Sequence, residues 1–185
     1  MRKFIHLSRL RMLRGSYARM SHTCPNVRVH EIALGDTDKT AELHVNRMSE
    51  TNSLLSTHPD SATFNQSAKM QETIDVIQVP VRTIAAFCKE QGIARIDILK
   101  TDAQGYDLKV IEGAANMFGV IPIIYAEATF VHCYNGQPTF GAFHDRMNDL
   151  GYRLVDLYET GFRTRYYQLS CNALFVREDV PGPRR

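Results

Sequence analysis

The chain has no tryptophan, only four cysteines and no long hydrophobic run. Each shortage removes a class of protein. Cys24, Cys88, Cys133 and Cys171 stand far apart without a CxxC pair, so their spacing offers neither a disulfide frame nor a zinc site. Dispersed cysteines suit reduced thiols, and the expected compartment is the cytoplasm. The longest apolar runs are a few residues, as in Val120–Ala126, and none could span a bilayer. The N-terminus is basic but lacks the apolar core and small-residue cleavage site of a secretory signal. Neither GxGxxG nor a Walker loop occurs, which removes the usual phosphate cradle. The seven histidines show no HExxH or other ligand spacing, so no metal site is expected. There is no GxSxG elbow either, which argues against a hydrolase.

What remains is an ordinary globular composition. With 185 residues, 44% hydrophobic and 23% charged, the chain is one domain with room for a sizeable core. The net charge of +2 hides an asymmetry. Residues 1–20 carry six basic side chains (Arg2, Lys3, Arg9, Arg11, Arg14, Arg19) and no acid, while the rest holds 16 basic against 20 acidic residues. No aromatic residues alternate with the basic ones to stack on bases, and the acidic body excludes nucleic acid as its partner. Residues 1–25 are expected to form a basic helix or arm, and residues 26–185 the folded domain.

Val27–Leu34 is rich in β-formers and ends at the turn signal Gly35-Asp36. Ala41–Asn46 alternates as a strand does, and residues 47–69, rich in Ser, Thr and Asn, read as a long loop able to cover a site. Ile74–Pro80 is a short extended run. Thr83 is placed to cap a helix through Gln91, with Gly92 as its stop. Then follow a strand Ile96–Thr101, a helix Gly105–Phe118, a strand Ile121–Glu127 and a helix from Thr139 to Leu150, ended by Gly151. Tyr152–Tyr158 and Gln168–Val176 are two last strands, with a turn around Gly161. Strands alternating with helices imply a parallel sheet with right-handed crossovers, whereas the final pair must be antiparallel. The fold class is therefore α/β: a mostly parallel sheet with a C-terminal antiparallel hairpin.

In open parallel sheets ligands bind beyond the carboxyl ends of the strands, where loops and helix N-termini converge. That rule selects Asp36, Asp102 and Glu127. An acid ending an apolar strand is costly without a partner or a task. For each, the competing reading is a helix cap or a buried ion pair, and Asp102 stands where it could cap the helix opening near Gly105. Asp97 is expected to pair with a neighbouring arginine. His132-Cys133 and His144-Asp145 are adjacent pairs without a ligand pattern.

The stretch IDILKTDAQGYDLKVIEGA (Ile96–Ala114) resembles the LK-[hydrophobic]-D-x-[QE]-G-x-E signature of FkbM-type methyltransferases, a branch of the S-adenosylmethionine-dependent class I fold. NVRVHEIALGD (Asn26–Asp36) is similar to that family's ALGD strand end, and ETNSLL (Glu50–Leu55) to its Ser-rich segment. VPVRTIAAFC (Val79–Cys88), Ile123–Phe140 and LGYRLVDL (Leu150–Leu157) continue the family order over roughly residues 26–176.

The resemblance implies a Rossmann-like domain that methylates a hydroxyl oxygen of a sugar or other small natural product, with S-adenosyl-L-methionine as cofactor. It makes Asp102 the base or acceptor-orienting group, also in reach of the cofactor. Lys100, Gln104 and Glu127 become acceptor-side groups, with Glu127 alternatively orienting the amino end of the cofactor, while Asp36 receives the adenine amino group with Leu34 lining the ring. The sequence departs from the family in three ways. Residues 1–25 contain one glycine, Gly15, and no acid, so neither the family's DxGANxG turn nor its second, Glu-ended strand is found. Asp107 stands where the family has Glu. The chain thus reads as the C-terminal two-thirds of the domain, missing the first two strands. An open sheet edge there predicts a homodimer or a partner supplying the N-terminal piece. The alternative function is a non-catalytic, methyltransferase-like module that pairs through that edge.

Overall fold

The computed structural model describes residues 4–8, 27–61, 68–162 and 168–180. Its strands are β1 (Phe4–Ser8), β2 (Ala33–Leu34), β3 (Lys39–Asn46), β4 (Thr73–Arg82), β5 (Ile98–Asp102), β6 (Ile123–Thr129), β7 (Tyr152–Phe162) and β8 (Gln168–Arg177). The α-helices are α1 (Ile84–Glu90), α2 (Asp107–Glu112) and α3 (Phe140–Asp149).

Five strands form the main sheet in the order β1-β5-β6-β8-β7. β1, β5 and β6 are parallel, and β8 and β7 follow antiparallel. The parallel centre with its antiparallel hairpin is as expected. The hairpin order is what the sequence does not contain: β8, the last strand, inserts between β6 and β7.

The N-terminal expectation is corrected. Phe4–Ser8 lies within the stretch read as a helix or arm, yet it is a strand whose backbone pairs residue by residue with Ile98–Asp102. The place beside β5 that was expected to be vacant is therefore occupied. The rest of the expected arm lies outside the described residues. Alternation explains the miss: FIHLS has the β-compatible pattern, but the neighbouring arginines and leucines suit a helix equally well.

The segment before Asp36 is also corrected. Only Ala33–Leu34 of Val27–Leu34 is strand, and it belongs to a second sheet of order β2-β4-β3. Residues 27–31 are exposed, so their β propensity has no buried face to act through. This small sheet has its own apolar cluster of Ala33, Leu43, Val79 and Val81.

Thr83 caps α1 as expected, its hydroxyl accepting from the Ala86 N–H at 3.1 Å. The helix expected over Gly105–Phe118 is instead α2 followed by a 3₁₀ helix, Ala115–Val120. The break follows Gly113, where the chain passes against the Gly35 carbonyl. Gly161 does not make the expected turn. β7 runs through it, with a register shift between Tyr158 and Gly161, so the glycine marks a bulge.

Side-chain alternation sorts the main sheet into two faces. Leu99, Ile124, Ala126, Ala128, Cys171, Ala173 and Phe175 point into the core and meet Ile84 and Phe87 of α1, Val110 and Ile111 of α2, and Phe143 and Met147 of α3. Burying these side chains is the main stabilisation, at about 1.5–3 kcal/mol for each large apolar group. Ile98, Lys100, Asp102, Tyr125 and Glu127 stand on the opposite, half-buried face. The period of two that buries Thr101 and Ala126 thus turns Asp102 and Glu127 the other way.

Candidate functional site

β5 and β6 are adjacent and parallel, with Lys100 opposite Tyr125 and Thr101 opposite Ala126. Asp102 and Glu127 consequently reach the same end of the sheet. A tight turn after β5 brings a third group to them. Gln104 has φ 51° and Gly105 φ 88°, so two successive left-handed residues fold the chain back. The Gln104 amide nitrogen then donates to Asp102 Oδ1 at 3.0 Å and to Glu127 Oε2 at 3.1 Å. Lys100 Nζ lies 3.7 Å from Asp102 Oδ2 and 6.0 Å from the centre of the Tyr125 ring. Four expected residues, Lys100, Asp102, Gln104 and Glu127, are therefore brought together.

Left-handed backbone is where glycine has its advantage. At Gly105 it is needed twice, because a Cβ there would lie 3.0 Å from Tyr134 Cδ2 and 3.1 Å from Gln137 Cδ. Tyr134 and Gln137 belong to the loop after β6. Gln137 Oε1 accepts from the backbone N–H groups of Cys133 and Tyr134 at 3.0 and 3.1 Å, which holds that loop in shape. The Tyr134 hydroxyl is 3.1 Å from Gln104 Oε1 and 3.0 Å from the Thr51 carbonyl oxygen.

The Ser-rich segment after β3 closes over the same turn. Ser53 Oγ donates to the Gln104 carbonyl oxygen at 2.7 Å. Thr57 bridges to Tyr134, and the His58 N–H donates to the Cys133 carbonyl at 2.9 Å. Within the stretch read as a covering loop, residues 62–67 lie outside the described residues; Thr51–His58 is fastened onto the site.

Asp102 is not the cap of α2. The acid at that helix start is Asp107, buried at 3% exposure, whose two oxygens both accept from the Ala103 N–H at 3.1 and 3.2 Å. Burial pushes its carboxyl up to about 6, and the nearby Asp102 charge acts the same way, against the Ala103 hydrogen bond. Asp97, as expected, pairs with Arg95 at 2.9 Å.

Asp36 lies apart from this group, in the turn after β2. It is 2.9 Å from Lys109 Nζ, 3.4 Å from the Tyr106 hydroxyl and 3.9 Å from Lys39 Nζ. Burial raises its carboxyl pKa, but the Lys109 hydrogen bond and the Lys109 and Lys39 charges outweigh it and leave the group below its ordinary value. Leu34 is 7% exposed and packs in the main core. Tyr106 connects the two places, two residues after Gln104 in the same turn.

Cys133 and Cys171 are the thiols nearest Glu127 electrostatically. Burial pushes each up to about 11, with the Glu127 charge adding to it, so neither offers a thiolate at neutral pH. Cys88, Cys133 and Cys171 form no disulfide among the described residues. Among the described residues no group of three His, Cys, Asp or Glu is arranged to hold a metal, and no helix is long and apolar enough to cross a membrane.

Tyr134, Ser53, Tyr106 and Lys109 are site residues that sequence reasoning does not single out, and Asp107 is noted there only as a departure from the family signature. The available signal is the family-like segments in which they lie, Glu50–Leu55, Ile96–Ala114 and Ile123–Phe140.

The sequence matches the family model of the methyltransferase FkbM domain over residues 11–154. The match takes in β5, α2, β6 and both loops that meet at Gln104. No curated protein and no solved structure matches the chain.

Proposed function

The chain belongs to the FkbM methyltransferase family, and on that premise we propose that it transfers a methyl group from S-adenosylmethionine to a hydroxyl of a sugar or other small polar molecule. The observation that carries this reading is the pair of carboxylates, Asp102 and Glu127, joined at the carboxyl end of two central strands by one Gln104 amide. A pair of acids at the end of parallel strands suits a ligand that carries positive charge and an acceptor that must lose a proton. When bound, S-adenosylmethionine supplies an electrophilic methyl carbon.

The residues present fit that group in part by charge: Asp102 and Glu127 are both partly exposed on the open face of the sheet, where they can meet a cationic ligand. An alcohol needs a base as it is methylated, and Asp102 is the base in this reading. Glu127 orients the acceptor hydroxyl, Lys100 holds Asp102 from its other side, and Gln104 joins the two acids. Orientation of this kind supplies much of a transfer enzyme's rate. Asp36, kept ionised by Lys109 and Lys39, is the acceptor for the adenine amino group, beside Leu34.

The test is transfer of a labelled methyl group to a panel of glycosides and polyols. We expect Asp102→Asn to lower the rate about 10²–10⁴-fold, the usual worth of a positioned acid or base. Full activity in Asp102→Asn, or no calorimetric binding of S-adenosylmethionine to the wild-type protein at millimolar concentration, would overturn the proposal.

A further inference from the structure

We infer that Gln104 and Tyr134 form a positioning device: the Gln104 amide tethers Asp102 to Glu127, and the Tyr134 hydroxyl sets which end of that amide faces the two acids. The inference rests on reading Asp102 and Glu127 as the reacting edge, and it changes the part Gln104 plays there.

The amide has two N–H donors, and both are directed at carboxylates, to Asp102 at 3.0 Å and Glu127 at 3.1 Å. With Gln104 only 9% exposed, those donors are committed to the acids and the side chain touches a ligand only through them. Two carboxylates held by the same nitrogen would repel each other without it. The amide nitrogen between them supplies positive charge density to both and fixes their spacing.

That arrangement works in one orientation only. Turned over, the amide would direct Oε1 at two anions. The Tyr134 hydroxyl has one proton for two acceptors, Gln104 Oε1 at 3.1 Å and the Thr51 carbonyl oxygen at 3.0 Å, and it favours the working orientation through the share directed at Oε1. Tyr134 is itself 2% exposed, and its hydroxyl proton is shared between these two oxygens.

The backbone supports the assignment. Gln104 is a non-glycine residue at φ 51°, in a conformation that costs an ordinary side chain about 1 kcal/mol or more. Such strain persists where the surroundings over-determine it, and here Ser53 Oγ also holds the Gln104 carbonyl at 2.7 Å. The left-handed turn is what aims the amide back across the ends of β5 and β6.

Among the described residues, Lys100 on β5, Asp107 at the start of α2, and the Cys133 and Cys171 thiols beside Glu127 also lie near the pair.

The test is a carboxyl-carbon NMR titration of Asp102 and Glu127 in the full chain, in wild type, Gln104→Leu and Tyr134→Phe. The readout compares wild type with each variant at whichever of the two titration steps lies at higher pH. Gln104→Leu moves that step to higher pH by about one unit or more, as unscreened like charges do. Tyr134→Phe, which deletes a single oxygen, moves it in the same direction by less. Superimposable titrations in wild type and both folded variants would overturn the inference. A shift in Gln104→Leu alone would overturn the part given to Tyr134, and if Gln104→Leu does not fold, Tyr134→Phe decides by itself. Because the readout is a proton equilibrium rather than turnover, the tether can stand where the methyl-transfer reading fails, and the reverse.

Discussion

Gly113, at the end of α2, lies against the carbonyl of Gly35, the residue that follows β2. A Cβ on Gly113 would sit 3.0 Å from the Gly35 carbonyl carbon and well inside contact distance of its oxygen. The Ala85 N–H, in the first turn of α1, donates to the Gly113 carbonyl at 3.0 Å. One point of backbone contact therefore joins the small sheet, α1 and α2. It also holds the turn that carries Asp36 next to Tyr106 and Lys109.

Gly113→Ala should destabilise the fold by about 3 kcal/mol, since the obstacle is backbone and cannot rotate away. For a chain of this size that corresponds to a fall in Tm of about 6–12 °C. Thermal unfolding followed by circular dichroism checks it, and an unchanged Tm would mean that the two glycines are not in contact.

Asp107 predicts an unusual pH dependence. Its folded carboxyl is raised to about 6 from 3.8. The native state therefore binds the proton more tightly than the unfolded chain, and stability falls as pH rises from about 4 through 6. The loss above that window is at most about 3 kcal/mol from this group. Asp107→Asn keeps an acceptor for the Ala103 N–H and never ionises. Urea denaturation should find the variant more stable than wild type at pH 7.5 by about 1–3 kcal/mol, with the difference shrinking or reversing by pH 4.

Asp36 gives the opposite sign. Its carboxyl is lowered, so its contribution is present at neutral pH and is lost as pH falls below its ordinary value toward the lower folded one. Lys109 is half-exposed, and water and salt screen the pair. Asp36→Asn should cost about 0.5–1 kcal/mol at low ionic strength and less in half-molar salt. A loss that does not respond to salt would show that Asp36 acts through its hydrogen bond to Tyr106 instead.

Thr83→Ala removes the side-chain acceptor for the Ala86 N–H at the start of α1. The expected cost is about 1 kcal/mol. Equilibrium denaturation of Thr83→Ala and Thr83→Ser tests this, because serine restores the cap and should recover most of the loss.

Several parts of this protein are legible in its sequence. Thr83 and Gly92 bracket α1 because caps and stops are local chemistry. The strands around Leu99, Ile124 and Phe175 are visible because a buried strand must be apolar over its own few residues. Asp102 and Glu127 can be singled out because acids at apolar strand ends need a reason. The ordering of Ile96–Ala114 with the flanking motifs points to the family that residues 11–154 match.

Tertiary structure decided what depends on contacts between distant residues. Whether Phe4–Ser8 is strand or helix is settled by β5, whose flank gives an ambiguous segment its hydrogen-bond partners. That β8 lies between β6 and β7 follows from packing, since hairpin spacing is the same for either order. Gln104 can be read as a neighbour of Asp102 from sequence. Its tie to Glu127, 23 residues on, and to Tyr134, 30 residues on, needs the left-handed turn and the parallel register of β5 and β6. The sequence alone determined which residues are chemically able to act; the fold determined which of them meet, because a hydrogen bond depends on a few ångströms in space and not on separation along the chain.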